Sequence, residues 1–199
     1  LALGIQARHV AQGVGVDVAD LPFFLGLLDH LAEKGSPVPR TMHAADGAQL
    51  MDYQGKKLAL IEFMPGISVS QPTPDQAHAV GAELARLHRN AADFPMRRAN
   101  TLGPEGWRRL AADCRDDFAR IDLSLAGLVD GALADIAAGW PDDIPAGVIH
   151  ADLFPDNVLM DGARVSSLID FYFACNDWLA YDLAVTHAAW CFSADGLSF

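Results

Sequence analysis

His150-Ala151-Asp152-Leu153-Phe154-Pro155-Asp156-Asn157, followed thirteen residues after Asn157 by Asp170-Phe171, sets acidic and amide side chains at the offsets of a phosphoryl-transfer loop. In the pattern H-x-D-x-x-x-x-N the Asp receives the proton of an attacking hydroxyl and the Asn holds a metal ion. A second Asp, in an Asp-Phe dipeptide, holds Mg²⁺ against nucleotide phosphates. Those roles fall on Asp152 as catalytic base and on Asn157 and Asp170 as metal ligands. The spacing has a physical reason. Val158-Leu159-Met160 reads as a short buried strand, Asp161-Gly162 as a hairpin dipeptide and Val165 to Ile169 as the returning strand. Such a hairpin brings Asn157 and Asp170, at its outer ends, close enough to share a cation. The alternative reading of the same residues is a hairpin turn with helix caps.

Outward from this stretch, the 199 residues are enough for one well-packed domain or a two-lobed unit with a small first lobe, and 51% of them are hydrophobic. A formal charge of −12 argues against nucleic acid and against an anionic membrane as partners, since both need basic surfaces. Small molecules are the expected ligands. Cys114, Cys175 and Cys191 include no C-x-x-C pair and read as reduced packing residues. No apolar run reaches the roughly 18 residues of a membrane span, and the opening residues lack a charged segment followed by an apolar one, so a cytoplasmic protein is expected.

Residues 1 to 18 have no clear period. Leu21-Pro22 opens a helix with Phe24, Leu27, Leu28 and Leu31 on one face, stopped at Gly35. Leu58 to Phe63 reads as a buried strand ended by Pro65-Gly66, and Thr73-Pro74-Asp75 caps a helix running to about Asn90 with Val80, Leu84, Leu87 and His88 on one face. Further helices are predicted near Trp107 to Arg120 and Ser124 to Gly139, the second with Leu125, Leu128, Val129, Leu133 and Ile136 facing a core. Val148 to His150 is a strand delivering the loop, and Leu179 to Phe192 a closing helix. The order predicts an α+β fold with a small β-containing lobe over residues 1–63 and a mostly helical lobe over 64–199 that carries the catalytic hairpin.

Several stretches resemble one family: Val148-Ile149-His150-Ala151-Asp152 through Val158, Leu168-Ile169-Asp170-Phe171-Tyr172-Phe173-Ala174-Cys175-Asn176-Asp177, and Ala180-Tyr181-Asp182-Leu183-Ala184. They are similar to the bacterial homoserine kinases of the aminoglycoside phosphotransferase and choline kinase superfamily. Leu21-Pro22-Phe23-Phe24-Leu25, Leu84-Ala85-Arg86-Leu87-His88 and Asp93-Phe94-Pro95-Met96-Arg97-Arg98-Ala99-Asn100 extend the likeness over most of residues 20 to 192. The resemblance implies a protein-kinase-like two-lobed fold and transfer of the ATP γ-phosphoryl group to the side-chain hydroxyl of L-homoserine, with ATP and Mg²⁺. An aminoglycoside or amino-alcohol kinase of the same superfamily is the alternative.

The resemblance also implies that the backbone carbonyl and amide of Glu62 and Met64 face the adenine edge, against the plainer reading of a strand end and a Pro-Gly turn. Arg97 and Arg98 are candidates to clamp a carboxylate through bidentate bonds, or form a solvated loop pair. Tyr172, Asn176 and Asp177 are candidates for the amino-acid end of the substrate, or cap and pack a helix. His150 and Asp182 are expected to brace the loop. Asp156 is either a solvated turn residue or a contact behind the metal site. Members of the family begin with a β-hairpin over the phosphates and a strand carrying a Lys. The only lysines here are Lys34, Lys56 and Lys57, none before the Leu21 helix. Residues 1–18 therefore read as a shortened replacement within an incomplete first lobe, and a non-catalytic remnant stands as a further alternative.

Overall fold

The computed structural model describes residues 17–192 and 196; residues 1–16, most of the expected replacement lid, lie outside them. The described residues fall into two compact units, one made of those up to Arg98 together with those from Ala146 onward, the other of Ala99–Pro145.

The first unit opens with α1 (Leu21–Glu33), which has Pro22 in its first turn, where a missing N–H costs nothing. Gly35, at φ +77°, lets the chain leave it. Leu21, Phe23, Phe24, Leu25, Leu27, Leu28 and Leu31 are all buried, so α1 is covered on more than the one face its spacing suggested. Phe23 packs edge-on against Phe94, and Phe24 against Tyr172.

Four short strands follow: β1 (Thr41–Met42), β2 (Met51–Tyr53), β3 (Lys56–Leu58) and β4 (Leu60–Ile61). The expected single strand from Leu58 to Phe63 is thus divided. β3 pairs with β2 across a turn in which Gln54 and Gly55 both have positive φ, whereas β4 pairs with β1. The chain changes partner at Ala59.

α2 (Pro74–Asn90) begins with a capping box: Gln76 N–H donates to Thr73 Oγ1 at 3.3 Å, and Thr73 N–H donates to Gln76 Oε1 at 3.1 Å. Its Val80, Leu84 and Leu87 enter the core.

β5 (Ala146–Ile149) pairs with β8 (Cys175–Trp178), and β6 (Val158–Asp161) forms a hairpin with β7 (Arg164–Leu168) around Gly162. α6 (Leu179–Trp190) closes the unit. The core joins α1, α2 and the hairpin through Leu27, Leu31, Leu87, Val158 and Leu168. Burying such side chains contributes about 1.5–3 kcal/mol each.

The second unit holds α3 (Pro104–Asp113), the single-turn α4 (Phe118–Ile121) and α5 (Leu125–Gly139). The helix expected from Trp107 to Arg120 starts earlier, with Pro104 at its first position, and breaks at Cys114 into a 3₁₀ turn. α5 has the expected span but not the expected burial: Leu128 is 69% exposed, and Leu125, Val129, Leu133 and Ile136 are only half-buried. The partners α3 and α4 are too short to cover its stripe. Trp107 meets Trp140 edge-on at 5.5 Å, and Arg115 donates twice to Asp130, at 2.5 and 2.8 Å. Of the cysteines, Cys175 is buried, with its thiol pushed by burial up to about 12, while Cys114 is exposed and is not the packing residue expected.

Candidate active site

β5 ends at Ile149 and hands His150 to the interior, where it has no exposed surface. Its Nε2 lies 3.0 Å from the Ile169 carbonyl, and its Nδ1 lies 3.3 Å from the Asp152 amide. A carbonyl only accepts and an amide only donates, so Nε2 carries the proton and Nδ1 accepts. Burial pushes the imidazole pKa down, which agrees with this neutral tautomer. His150 also stacks at a tilt on Phe171, with ring centres 4.5 Å apart.

Ala151 follows in a left-handed conformation, φ +63°, which is uncommon for a residue with a Cβ. Asp182 of α6, with no exposed surface, supports that bend by accepting from the amides of His150 and Ala151, each at 2.9 Å. Its Oδ2 accepts a further bond from His88 Nε2 on α2 at 2.8 Å. Trp190, at the far end of α6, donates to the Leu153 carbonyl at 2.8 Å. One helix therefore grips the loop at two points. Neither His88 nor Trp190 carries a local motif that signals a partner so distant in the chain, so sequence alone gives neither a place at the site.

Asp152 is partly buried, and its carboxyl pKa is raised, chiefly by desolvation and further by the negative charges of Asp170 and Asp156. The buried Asn157 donates its side-chain amide to both the carbonyl and Oδ2 of Asp152, at 2.8 Å each, while its amide oxygen can only accept. In the hairpin Val158 pairs with Leu168, and Ile169 N–H donates to the Asn157 carbonyl at 2.9 Å. This register sets Asp170 one residue beyond the partner of Asn157. Asp170 itself is left-handed, φ +64°, at the start of a 3₁₀ turn over Phe171–Phe173. Asp156 is exposed, and its carbonyl accepts from Ser68 Oγ at 3.2 Å.

A cavity of about 260 Å³ adjoins Asp170. Glu62, Met64, Lys57 and Tyr172 line it, with apolar walls from α1. Glu62 exchanges backbone contact with Arg40, donating to its carbonyl at 2.9 Å, while its side chain accepts from the Arg40 amide at 3.2 Å. The following segment is stitched to the hairpin: Ile67 and Met160 exchange two backbone bonds, at 2.9 and 3.1 Å, and Ser166 Oγ donates to the Pro65 carbonyl at 2.7 Å. Ser166 is free to do so because the pairing slips between Leu159 and Met160, leaving it as a bulged residue.

The remaining candidates are dispersed. Arg98 is almost enclosed: it donates to Asp20 at 2.6 Å and to the Ala174 carbonyl at 3.1 Å, and lies 5.0 Å over the Phe24 ring. Its backbone amide takes Asn176 Oδ1 at 2.8 Å. Asp177 Oδ1 accepts from the next amide, Trp178 N–H, at 2.7 Å, and Arg97 is exposed. Arg98 and Asn176 thus meet each other, while Tyr172 lies with Glu62 and Met64 at the cavity.

The profile of the phosphotransferase enzyme family matches residues 12–197. A homoserine kinase of Chelativorans sp. (strain BNC1) is 50% identical over 180 residues, covering 90% of this chain and 56% of its own length. A homoserine kinase of Parvibaculum lavamentivorans is 47% identical over 194 residues, covering 98% and 59%. The chain thus spans little more than half the length of these curated relatives. Among solved structures, a spectinomycin phosphotransferase in complex with ADP and spectinomycin aligns with a TM-score of 0.67 at 15% identity, over 85% of this chain and 58% of that one. An amicoumacin kinase in complex with AMP-PNP and Ca²⁺ aligns at 0.66 with 16% identity, over 90% and 62%. At such identities the likeness is one of fold, protein-kinase-like and α+β.

Proposed function

Because this chain belongs to the phosphotransferase enzyme family, we propose that it acts as an ATP-dependent kinase that transfers the γ-phosphoryl group to the side-chain hydroxyl of L-homoserine, in the cytoplasm. One observation carries the reading: Asp152, its partner Asn157 and the adjacent Asp170 gather at the mouth of one hairpin beside a cavity edged by Glu62 and Met64. The name shared by the curated relatives supports homoserine over an antibiotic or amino-alcohol acceptor.

In this reading the adenine edge meets the backbone of Glu62 and Met64, where the first lobe passes into the helical lobe between residues 63 and 64. Among the described residues no three His, Cys, Asp or Glu side chains cluster as a metal cage. The donor set that does exist, one amide oxygen and one carboxylate, suits Mg²⁺, which takes few protein oxygens and leaves its other positions to phosphates and water. Asn157 and Asp170 would hold that ion, which would supply positive charge beside the nucleotide phosphates. Asp152 orients the acceptor hydroxyl and takes its proton as the oxygen–phosphorus bond forms. The bond from the γ-phosphorus to the bridging oxygen breaks, and ADP leaves. His150, neutral and tied at both ring nitrogens, moves no proton. Arg97, Asn176 and Asp177 are the residues proposed for the amino-acid end, with Arg98 and Tyr172 acting through packing.

Incubation of the chain with ATP, Mg²⁺ and L-homoserine, with mass detection of the phosphorylated product, tests this reading. Aminoglycosides and amino alcohols run in parallel. Product only from homoserine supports it, product only from another acceptor reassigns the substrate, and nucleotide binding without any product identifies a non-catalytic remnant.

A further inference from the structure

At φ +64° Asp170 has a backbone that a residue with a Cβ keeps only where its surroundings hold the chain on both sides. Upstream, Ile169 is held twice: its N–H donates to the Asn157 carbonyl at 2.9 Å, and its carbonyl accepts from His150 at 3.0 Å. Downstream, Ala174 closes the 3₁₀ turn by donating to the Phe171 carbonyl at 2.9 Å, and it has no exposed surface. Its own carbonyl accepts from Arg98 Nη1 at 3.1 Å. Arg98 also exchanges two bonds with β8: its amide donates to Asn176 Oδ1 at 2.8 Å, and its carbonyl accepts from the Asn176 amide at 2.7 Å. From the start of α1, Asp20 takes the guanidinium Nε at 2.6 Å and makes no side-chain cap to the helix it precedes.

We propose that Arg98 is a positioning residue for Asp170: held by Asp20, it clamps the far end of the turn and keeps the Asp170 carboxylate at the cavity wall. The inference rests on the kinase reading above and adds the group that sets the geometry of its second acid. One planar guanidinium serves the Asp20 carboxylate, the Ala174 carbonyl and the face of Phe24, whose ring centre is 5.0 Å away. A lysine ammonium is a point charge without a fork or a stacking plane, so it cannot serve all three. Neither Arg98 nor Asp20 lines the cavity, whereas Asp170 does. Their influence on a ligand there must pass through the turn or through Phe24, and the two routes give different signatures.

Calorimetric titration of the full 199-residue chain with ATP, with and without Mg²⁺, and with adenosine tests the inference, beside hydrogen exchange at the Ala174 amide. Arg98→Lys is expected to cut the Mg²⁺-dependent gain in ATP affinity about tenfold, to speed exchange at Ala174 and to leave adenosine binding unchanged. Asp20→Asn moves the same two readouts in the same direction by less. In an Asp170→Ala background, Arg98→Lys leaves ATP affinity where Asp170→Ala alone puts it, because the clamp acts through that carboxylate. A full Mg²⁺ effect in Arg98→Lys overturns the role and leaves the kinase reading intact. Loss of ATP and adenosine in equal proportion also overturns it, since that marks packing through Phe24, as does a further loss of ATP affinity in the Asp170→Ala background. A parent chain that binds ATP no better with Mg²⁺ than without it overturns both the metal reading and the inference resting on it.

Discussion

His88 and Asp182, 94 residues apart in sequence, meet through a 2.8 Å hydrogen bond that supports the bend at Ala151. Asp182 is fully buried and, among the described residues, accepts from His88 and two loop amides. Removing a donor that leaves a buried acceptor short of a partner costs about 1–3 kcal/mol. His88→Ala is therefore expected to lower unfolding stability by that amount in denaturant titration. It should also speed hydrogen exchange at the amides of His150 and Ala151, and His88→Gln should restore part of both.

Asp152 is the proposed base, and its pKa is raised above the ordinary carboxyl value of 3.8. Turnover should fall as pH drops through that raised value, because the base must be ionised. Asp152→Asn is expected to lower kcat by a factor of about 10²–10⁴ at neutral pH. Stability is expected to move little or upward, since the folded chain holds this proton more tightly than the unfolded one. Far-ultraviolet dichroism and unfolding curves beside the rate assay check this, and unchanged turnover removes Asp152 from the mechanism.

Asp170→Ala takes away the one carboxylate of the proposed metal pair. ATP affinity measured with and without Mg²⁺ should become equal, while adenosine binding at the cavity persists. An undiminished Mg²⁺ effect would assign the ion elsewhere.

Burial depresses the His150 pKa below its usual 6.5. A folded-state value below the unfolded one means the unfolded chain takes up the proton first. The contribution is complete above about 6.5 and lost as pH falls toward the folded-state value. Unfolding free energy should therefore decline with acidification in that window, and a flat profile there would contradict a neutral, enclosed imidazole.

Gly66 stands at φ +130°, where a Cβ would press on Leu159 and Ser166. Gly66→Ala is expected to cost about 1–3 kcal/mol and to loosen the bonds from Pro65 and Ile67 to the hairpin. Thermal unfolding measures the first effect and amide exchange at Met160 the second.

The site hairpin, α1 and α2 were legible because their signals are local: the Asp161-Gly162 turn, Pro22 and Gly35, and the Thr73-Pro74-Asp75 cap. What escaped depends on partners. The break at Ala59 arises because β3 and β4 pair with different strands, and the exposure of Leu128 arises because α3 and α4 are short. Arg98 is a basic residue in a loop by sequence, yet Asp20, Phe24 and Ala174 enclose it. No spacing rule announces the bond from His88 to Asp182, since a long-range contact has no period.

The stitching of Pro65 and Ile67 to Ser166 and Met160 makes the hairpin and the segment after Met64 behave as a single ruler. The base end and the phosphate end of a bound nucleotide would then be gauged against one rigid length. Analogues with a lengthened or shortened span between the ring and the terminal phosphate should lose more affinity than their separate halves predict.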